Sequence, residues 1–370
     1  MGGSIETVTG ARGRRRFVEL ARHFRGGSPY YVPPLTGAAL KLLDPRRNPA
    51  LRRARQELWI ARDGAGAVAG RCGALYDPRH AENLGEDAGW FGYFDAADAS
   101  SARALLDHAW SWVQAQGAHS MLGPADPDTN HECGCLVEGH DALPYLMMAH
   151  NPPQYAGWIE AAGLERARDL LAYETSADRF PMQRLAPVVE RIEQRGGFTL
   201  HSITRANLRE MMEVARTVYN HAWRENWGFL PLTREEFEFE AAGLLPLLDP
   251  DLAKVYRHGG QPAGFILALR DANPALHAVG SRLFPWGILR LPFLLKRVQR
   301  MRVVALGVMP QFRNRGLETA LVYSVSVAAL RKGITTSEMS WVLEDNTAMN
   351  RLALGLGGRV SRRYRLFRRR

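Results

Sequence analysis

Apolar and polar positions along this chain pass twice through the same rhythm. In the first half, Glu57 to Tyr76 alternates as a hairpin turning at Asp63-Gly64. Trp90 to Phe94, WFGYF, is an apolar strand. Ser100 to Gln116 carries apolar residues at helical spacing and stops at Gly117. Met121 opens a short strand, Asn151 starts a second helix that ends at Gly163, and DLLAYE closes the cycle as a strand. The second half repeats it. FTLHSITRANLREMMEVARTVYNHAW predicts strand then helix, and LAKVYRHGGQPAGFILALRD predicts a hairpin around His258-Gly259-Gly260. VVALGV, Val303 to Val308, is a strand broken at Met309-Pro310, and LETALVYSVSVAALRKG is a helix. EMSWVL, the helix pattern after Asn346, and a final strand from Arg363 to Phe367 complete it. The order predicts an α+β (α/β) fold of two units, residues 1–176 and 197–370, joined by a helix over 177–196.

The junction between VVALGV and its helix is the richest in chemistry. Arg313-Asn314-Arg315-Gly316 is a basic turn that delivers a helix N-terminus beginning at Leu317. Such an end has unsatisfied N–H donors and the positive pole of the helix dipole, which suits a pyrophosphate. The corresponding turn of the first half, DAADAS, has two aspartates, no glycine and no basic residue. Like charge there repels a phosphate, so one nucleotide site is expected, in the second half.

Composition trims the alternatives. The 370 residues are 46% hydrophobic, enough for two ordinary cores. The three cysteines, Cys72, Cys133 and Cys135, have no zinc-type spacing, so neither disulfides nor a metal is expected. The first residues lack the apolar run of a signal peptide, and a cytoplasmic setting follows as the expectation. Net charge is +10, yet no zinc-finger or helix-turn-helix pattern organises it, so nucleic acid is not expected as a partner. The basic clusters suit a polyanionic co-substrate and an anionic membrane surface. Within an unusual insert, residues 273–302, Leu283 to Leu295 is apolar with Arg282, Lys296 and Arg297 at its edges. It is too short to span a bilayer and fits an interfacial element.

The turn Arg313 to Gly316 and the segment NTAMNRLALGLGG resemble motifs A and B of the GNAT superfamily of N-acetyltransferases. Arg313 and Gly316 match motif A, whereas Glu318 stands where a small residue is usual. Asn346, Leu356 and Gly357 match motif B. Over its whole length the chain resembles tandem-GNAT proteins related to bacterial ceramide synthase, through strings such as SPYYVPPL, LGPADPDTNHECGCLVEGHD and YNHAWRENWGFLPLTREEF.

The resemblance implies two GNAT-like units, each a mixed, mostly antiparallel sheet flanked by helices, and an acyl-CoA-dependent N-acyltransferase whose acceptor is a primary amine of sphingoid type. It implies that the backbone of Leu306, Gly307 and Val308 holds the pantetheine arm, with the N–H of Val308 as oxyanion donor. It also implies that Arg313, Asn314, Arg315, Gly316 and Leu317 hold the pyrophosphate and that Asn346 contacts the cofactor. The tyrosine that many GNAT enzymes use as general acid is replaced by Ala353, leaving Tyr364 or Tyr323 to substitute. For the base, His221, Glu225, Glu235, Glu236 and Glu344 are available, along with Asn130, His131, Glu132 and His150-Asn151 if the halves face one another. Thr233 followed by Glu236 also reads as a capping box. A soluble acetyltransferase and a non-catalytic acyl-CoA scaffold share these motifs and stay open on sequence alone.

Overall fold

The computed structural model describes residues 3–194, 196–281 and 286–370. The first half comprises β1 (Ser4–Thr7), α1 (Gly10–Arg25), α2 (Thr36–Leu42), β2 (Arg55–Arg62), β3 (Val68–Tyr76), α3 (Arg79–Leu84), β4 (Ala88–Ala96) and α4 (Ala99–Ala115). It continues with β5 (Ser120–Gly123), β6 (Ala125–Asp126), β7 (Glu132–Cys133), β8 (Cys135–Glu138), α5 (Tyr155–Ala161) and β9 (Glu165–Ser176). Helix α6 (Met182–Gln194) joins it to β10 (Phe198–Ser202), α7 (Leu208–Ala222), α8 (Arg234–Leu244), β11 (Ala253–His258) and β12 (Gln261–Arg270). Then follow α9 (Asn273–Ala278), α10 (Gly287–Arg297), β13 (Arg300–Val308), α11 (Leu317–Arg331), β14 (Thr336–Leu343), α12 (Thr347–Gly355) and β15 (Arg359–Arg369).

Both hairpins form where alternation predicts them, β11 turning into β12 at the pair His258–Gln261. The helix expected from Asn151 starts later, at Tyr155. Pro152 and Pro153 delay it, and Asn151 bonds the Leu136 backbone through both ends of its amide instead. In each half one parallel pair interrupts the antiparallel order: β4 with β5, and β13 with β14. The second pair holds register only from Arg300–Thr336 to Val303–Met339, after which the strands diverge.

The closing strands are exchanged. β15, last in the chain, pairs with β5 and β8 of the first half, while β9 lies against β14 of the second. β9 and β15 also pair with each other along their lengths. One continuous sheet of thirteen strands results, and sequence position 176 does not divide it in space. Helices on both faces bury the sheet. α4 and α5 cover the first half around Phe91, Leu105, Leu106 and Ile159. α11 and α6 cover one face of the second around Ile266, Leu306 and Leu321, and α7 covers the other around Val218, Val255 and Phe265.

Charges are buried at the seam. Glu338 of β14 is fully buried and accepts from Arg362 of β15 at 3.0 Å and from the Ser340 hydroxyl at 2.6 Å. Arg302 of β13 donates to Ser340 Oγ and, across the halves, to the Leu146 carbonyl at 2.7 Å.

Candidate active site

Divergence of β13 and β14 opens a cleft whose enclosed room is about 130 Å³. Its walls come from β13 (Arg302 to Leu306), β14 (Met339 to Leu343), Tyr219 and Trp223 of the α7 end, and the loop residues Asn226, Trp227 and Phe229. Thr129, Asn130 and His131 enter from the first half, so the halves do face one another across a cleft. The loops are tied together: Thr129 Oγ1 donates to the Gly228 carbonyl at 2.9 Å, and Trp90 meets Trp227 edge-on at 6.0 Å.

Just past the end of β13, Met309 N–H donates across to Ala263 of β12 at 2.8 Å. Strand alternation then turns the N–H groups of Val308 and Leu306 away from β12, toward the gap left by β14. Gly307 between them lets α7 approach, since a Cβ there would lie 2.9 Å from Trp223. These are donors free to pair with an extended amide-bearing chain.

At the far end of β13, Gly316 is the N-cap of α11 with φ +83°, a conformation that favours glycine, and no side chain caps the helix. The first-turn N–H groups therefore have no side-chain cap competing for them, as an anion site requires. A Cβ at Gly316 would meet Ile192 of α6 at 3.2 Å. Arg313 donates to the Ala222 carbonyl at 2.9 Å and pairs with Glu225 at 3.6 Å, while Arg315 lies over the Phe312 ring and Asn314 has φ +60°. Glu318 sits in the first turn, where burial raises its pKa against the pull of Arg313. Asn346 caps α12 by accepting from Met349 N–H at 3.2 Å and also lines the cavity.

The first half's equivalent cleft differs. Asp98 caps α4 by accepting from Ser101 N–H at 2.7 Å, which puts a carboxylate on a donor that a phosphate would need. The β6–β7 hairpin fills the gap beside β4, with Ala125 so close that a Cβ at Gly92 would lie 1.8 Å from its carbonyl oxygen. What remains, about 20 Å³, is lined by Arg25, Asp126 and Glu132 among others.

Four side chains proposed for proton transfer are placed elsewhere. Tyr364 is fully buried in the core of the seam, with no partner for its hydroxyl and its pKa pushed up by burial. His221 is exposed on the outer side of α7, its Nδ1 at 2.7 Å from the Thr217 carbonyl. Glu132 lines the smaller cleft of the first half, where burial raises its pKa. Glu344 is held by Arg166 and by the Asp169 N–H at 3.0 Å. Thr233 and Glu236 make the capping box, and Glu236 is further bound by Arg79.

The imidazole that lines the cavity is His131. Its Nδ1 is 2.9 Å from Asp128 Oδ1 and its Nε2 is 3.0 Å from Glu240 Oε2 of α8. Burial opposes its charge, but Glu240 and Asp128 together outweigh burial and hold its pKa well above the ordinary histidine value. Among the described residues no group of three His, Cys, Asp or Glu side chains is arranged to hold a metal. In the sequence His131 was one acidic or imidazole side chain of several; Glu240, more than a hundred positions away, carried no local signal.

Residues 211–357 match the model of the acetyltransferase (GNAT) family. Protein YghO of Escherichia coli K12 is 32% identical over 99% of this chain and 95% of its own length. The chain belongs to the GNAT family. Bacterial ceramide synthase of Caulobacter vibrioides is 29% identical, covering 95% of this chain and 94% of that protein. Among solved structures, a tandem GNAT protein from the clavulanic acid biosynthesis pathway superposes with a TM-score of 0.59 at 16% identity, over 100% of this chain and 98% of that one. The architecture is thus a tandem GNAT, the protein is an N-acyltransferase, and the GNAT fold implies acyl-CoA as co-substrate.

Proposed function

We propose that this GNAT protein transfers a long acyl group from CoA to the primary amine of a sphingoid-type lipid. The relation to bacterial ceramide synthase along nearly the whole chain carries the reading. The pyrophosphate is assigned to the α11 N-terminus, the pantetheine arm to the Leu306–Val308 edge, and the acceptor to the cavity between the halves. The amine nitrogen attacks the thioester carbonyl, and the N–H of Val308 is assigned to the oxyanion that develops. The C–N bond forms, the C–S bond breaks, and the CoA thiolate leaves. A thiol of ordinary pKa is a good leaving group, which accommodates Ala353 in place of an acid.

Free thiol release, followed with acetyl-CoA and a long-chain acyl-CoA against long-chain and short amines, tests the assignment. Each buried methylene is worth about 0.8 kcal/mol, roughly four-fold in affinity, so the long donor and long acceptor are expected to dominate. Equal use of acetyl-CoA with a short amine would instead make the protein a small-molecule acetyltransferase. Tight acyl-CoA binding without turnover would make it a scaffold.

Helix α10 suggests where the lipid comes from. Trp286, Ile288, Leu289 and Phe293 are 58–72% exposed, and Arg290, Lys296 and Arg297 are exposed beside them. The basic helix α1 lies alongside, Arg22 donating to the Gly280 carbonyl at 3.1 Å. This is an apolar patch ringed by cations, suited to an anionic membrane surface. Among the described residues no helix is long and apolar enough to cross a membrane. Leu283 and Phe284, which the sequence placed in the same element, lie outside the described residues, and no cavity-lining residue comes from α10. Changing Trp286, Ile288, Leu289 and Phe293 together to Ser is expected to reduce co-sedimentation with anionic vesicles by ten-fold or more (about 1.4 kcal/mol) with CoA binding intact. Unchanged sedimentation would remove the membrane surface from this proposal.

A further inference from the structure

We propose that His131, supplied by the first half, is the proton acceptor for acylation in the second half's cleft, with Asp128 and Glu240 as its positioning residues. The inference rests on the acyltransfer assignment above and adds the group that the GNAT motifs leave unassigned.

Geometry supports it from three elements. Asp128, Thr129, Asn130 and His131 sit on the loop between β6 and β7, the hairpin that fills the first half's own cleft. The loop therefore closes one cleft and reaches into the other. It is rigid by construction. Asp128 Oδ1 accepts from the Asn130 N–H at 2.8 Å as well as from His131 Nδ1, and Tyr219 of α7 donates its hydroxyl to Asn130 Oδ1 at 2.6 Å. Above its raised pKa, the ring keeps Nδ1–H on the Asp128 carboxylate, and Nε2 is then the basic nitrogen. That nitrogen is buried and makes no hydrogen bond of good geometry, although Glu240 Oε2 lies 3.0 Å away.

Other charged or titratable groups around the ring are few. Glu240 faces it from α8 and Asp128 from its own loop. Tyr219 of α7 stands near both carboxylates. His80 of α3 lies behind Asp128, where burial lowers its pKa to about 4 and keeps it neutral near pH 7. The two carboxylates thus act on the ring almost alone, and both favour its protonated form. The unprotonated ring that can accept a proton is therefore populated only toward alkaline pH, where the alkylamine acceptor is itself increasingly unprotonated.

The step balances. The free amine attacks the thioester carbonyl, and its nitrogen gains a positive charge as the C–N bond forms. One N–H proton moves to His131 Nε2, and the imidazolium forms between Asp128 and Glu240. Collapse of the oxyanion breaks the C–S bond. The CoA thiolate then takes the proton back from His131 or from water, giving amide and CoA thiol with no net change at the histidine.

The test uses the full chain, a long-chain acyl-CoA, a long-chain 2-amino alcohol and thiol detection. His131→Gln is expected to lower kcat by about 10²–10⁴-fold, the usual share of general base catalysis, with CoA affinity unchanged by calorimetry. Glu240→Gln gives an independent reading. The active base is unprotonated, so activity rises as pH climbs through its pKa. Removing one carboxylate lowers that pKa, and the acidic limb of kcat/KM moves down by about one to three pH units. The acceptor's own titration is the same in both proteins and cannot produce the shift. Asp128→Asn is expected to lower kcat with the tautomer no longer fixed. Undiminished kcat in His131→Gln, or an acidic limb that does not move in Glu240→Gln, overturns the proposal; should His131→Gln fail to fold, the limb alone decides. Failure of the unmodified protein to release thiol with any amine overturns the acyltransfer assignment itself, before any variant is made.

Discussion

Gly316→Val is expected to lower CoA affinity at least ten-fold. The residue holds φ +83° at the first position of the α11 terminus. A β-branched side chain is a conformational outlier there, with a cost of about 1–3 kcal/mol. The added Cβ would also press on Ile192 of α6 at 3.2 Å. The loop relieves both by turning, and the N–H groups of Leu317 and Glu318 turn with it. Because 1.4 kcal/mol is ten-fold in binding, even partial relief is measurable by calorimetry. Asp98→Ala is the matched control in the first half. It costs about 1 kcal/mol of helix capping and leaves CoA affinity alone. A folded Gly316→Val protein that binds CoA as tightly as the parent would move the pyrophosphate away from this helix.

Glu338→Ala is expected to have the largest effect on stability. The carboxylate is fully buried, and burial raises its pKa while Arg362 works the other way. Removing it leaves the Arg362 guanidinium, itself 3% exposed, without its counter-charge. Stranding one partner of such a pair costs about 3–5 kcal/mol. Arg302 is linked to the same carboxylate through Ser340 and reaches the first half at Leu146, so both halves should lose stability in one transition. Calorimetric unfolding checks this; a melting temperature within about 1 °C of the parent would show that the seam relaxes around the loss.

Periodicity made the strands and helices legible because each element buries one face, and the spacing of apolar residues reports that directly. It placed the β13–α11 junction and the helix that follows Asn346. It also ranked DAADAS below the basic turn, and Asp98 indeed occupies the α4 terminus itself. Strand pairing was not legible. RYRLF looks like the closing strand of whichever sheet precedes it, yet β15 completes the first half's sheet. Local pattern encodes which face is buried and says little about which edge is met. The same limit governs the candidate site. Tyr364 and Glu344 were attractive by position in the chain, but one lies in the core and the other is bound by Arg166. His131 gains its character from Glu240, 109 positions on by the numbering in the pair His131–Glu240 and on a different half.

The exchange of β9 and β15 sets an order of events during synthesis. Arg369 bonds Asp107 at 2.5 Å across 262 positions, and the Phe367–Gly123 pair is of similar reach. A nascent first half can form its hairpins and helix α4, but the edges of β5 and β8 stay open until β15 has been made. β9 likewise waits for β14. The ribosome therefore releases two half-closed sheets that finish together, instead of one finished unit followed by another. Contacts of such long reach close slowly and leave strand edges exposed while they wait. A fragment ending at residue 176 would be held permanently at that waiting stage, with an unpaired edge where β15 belongs.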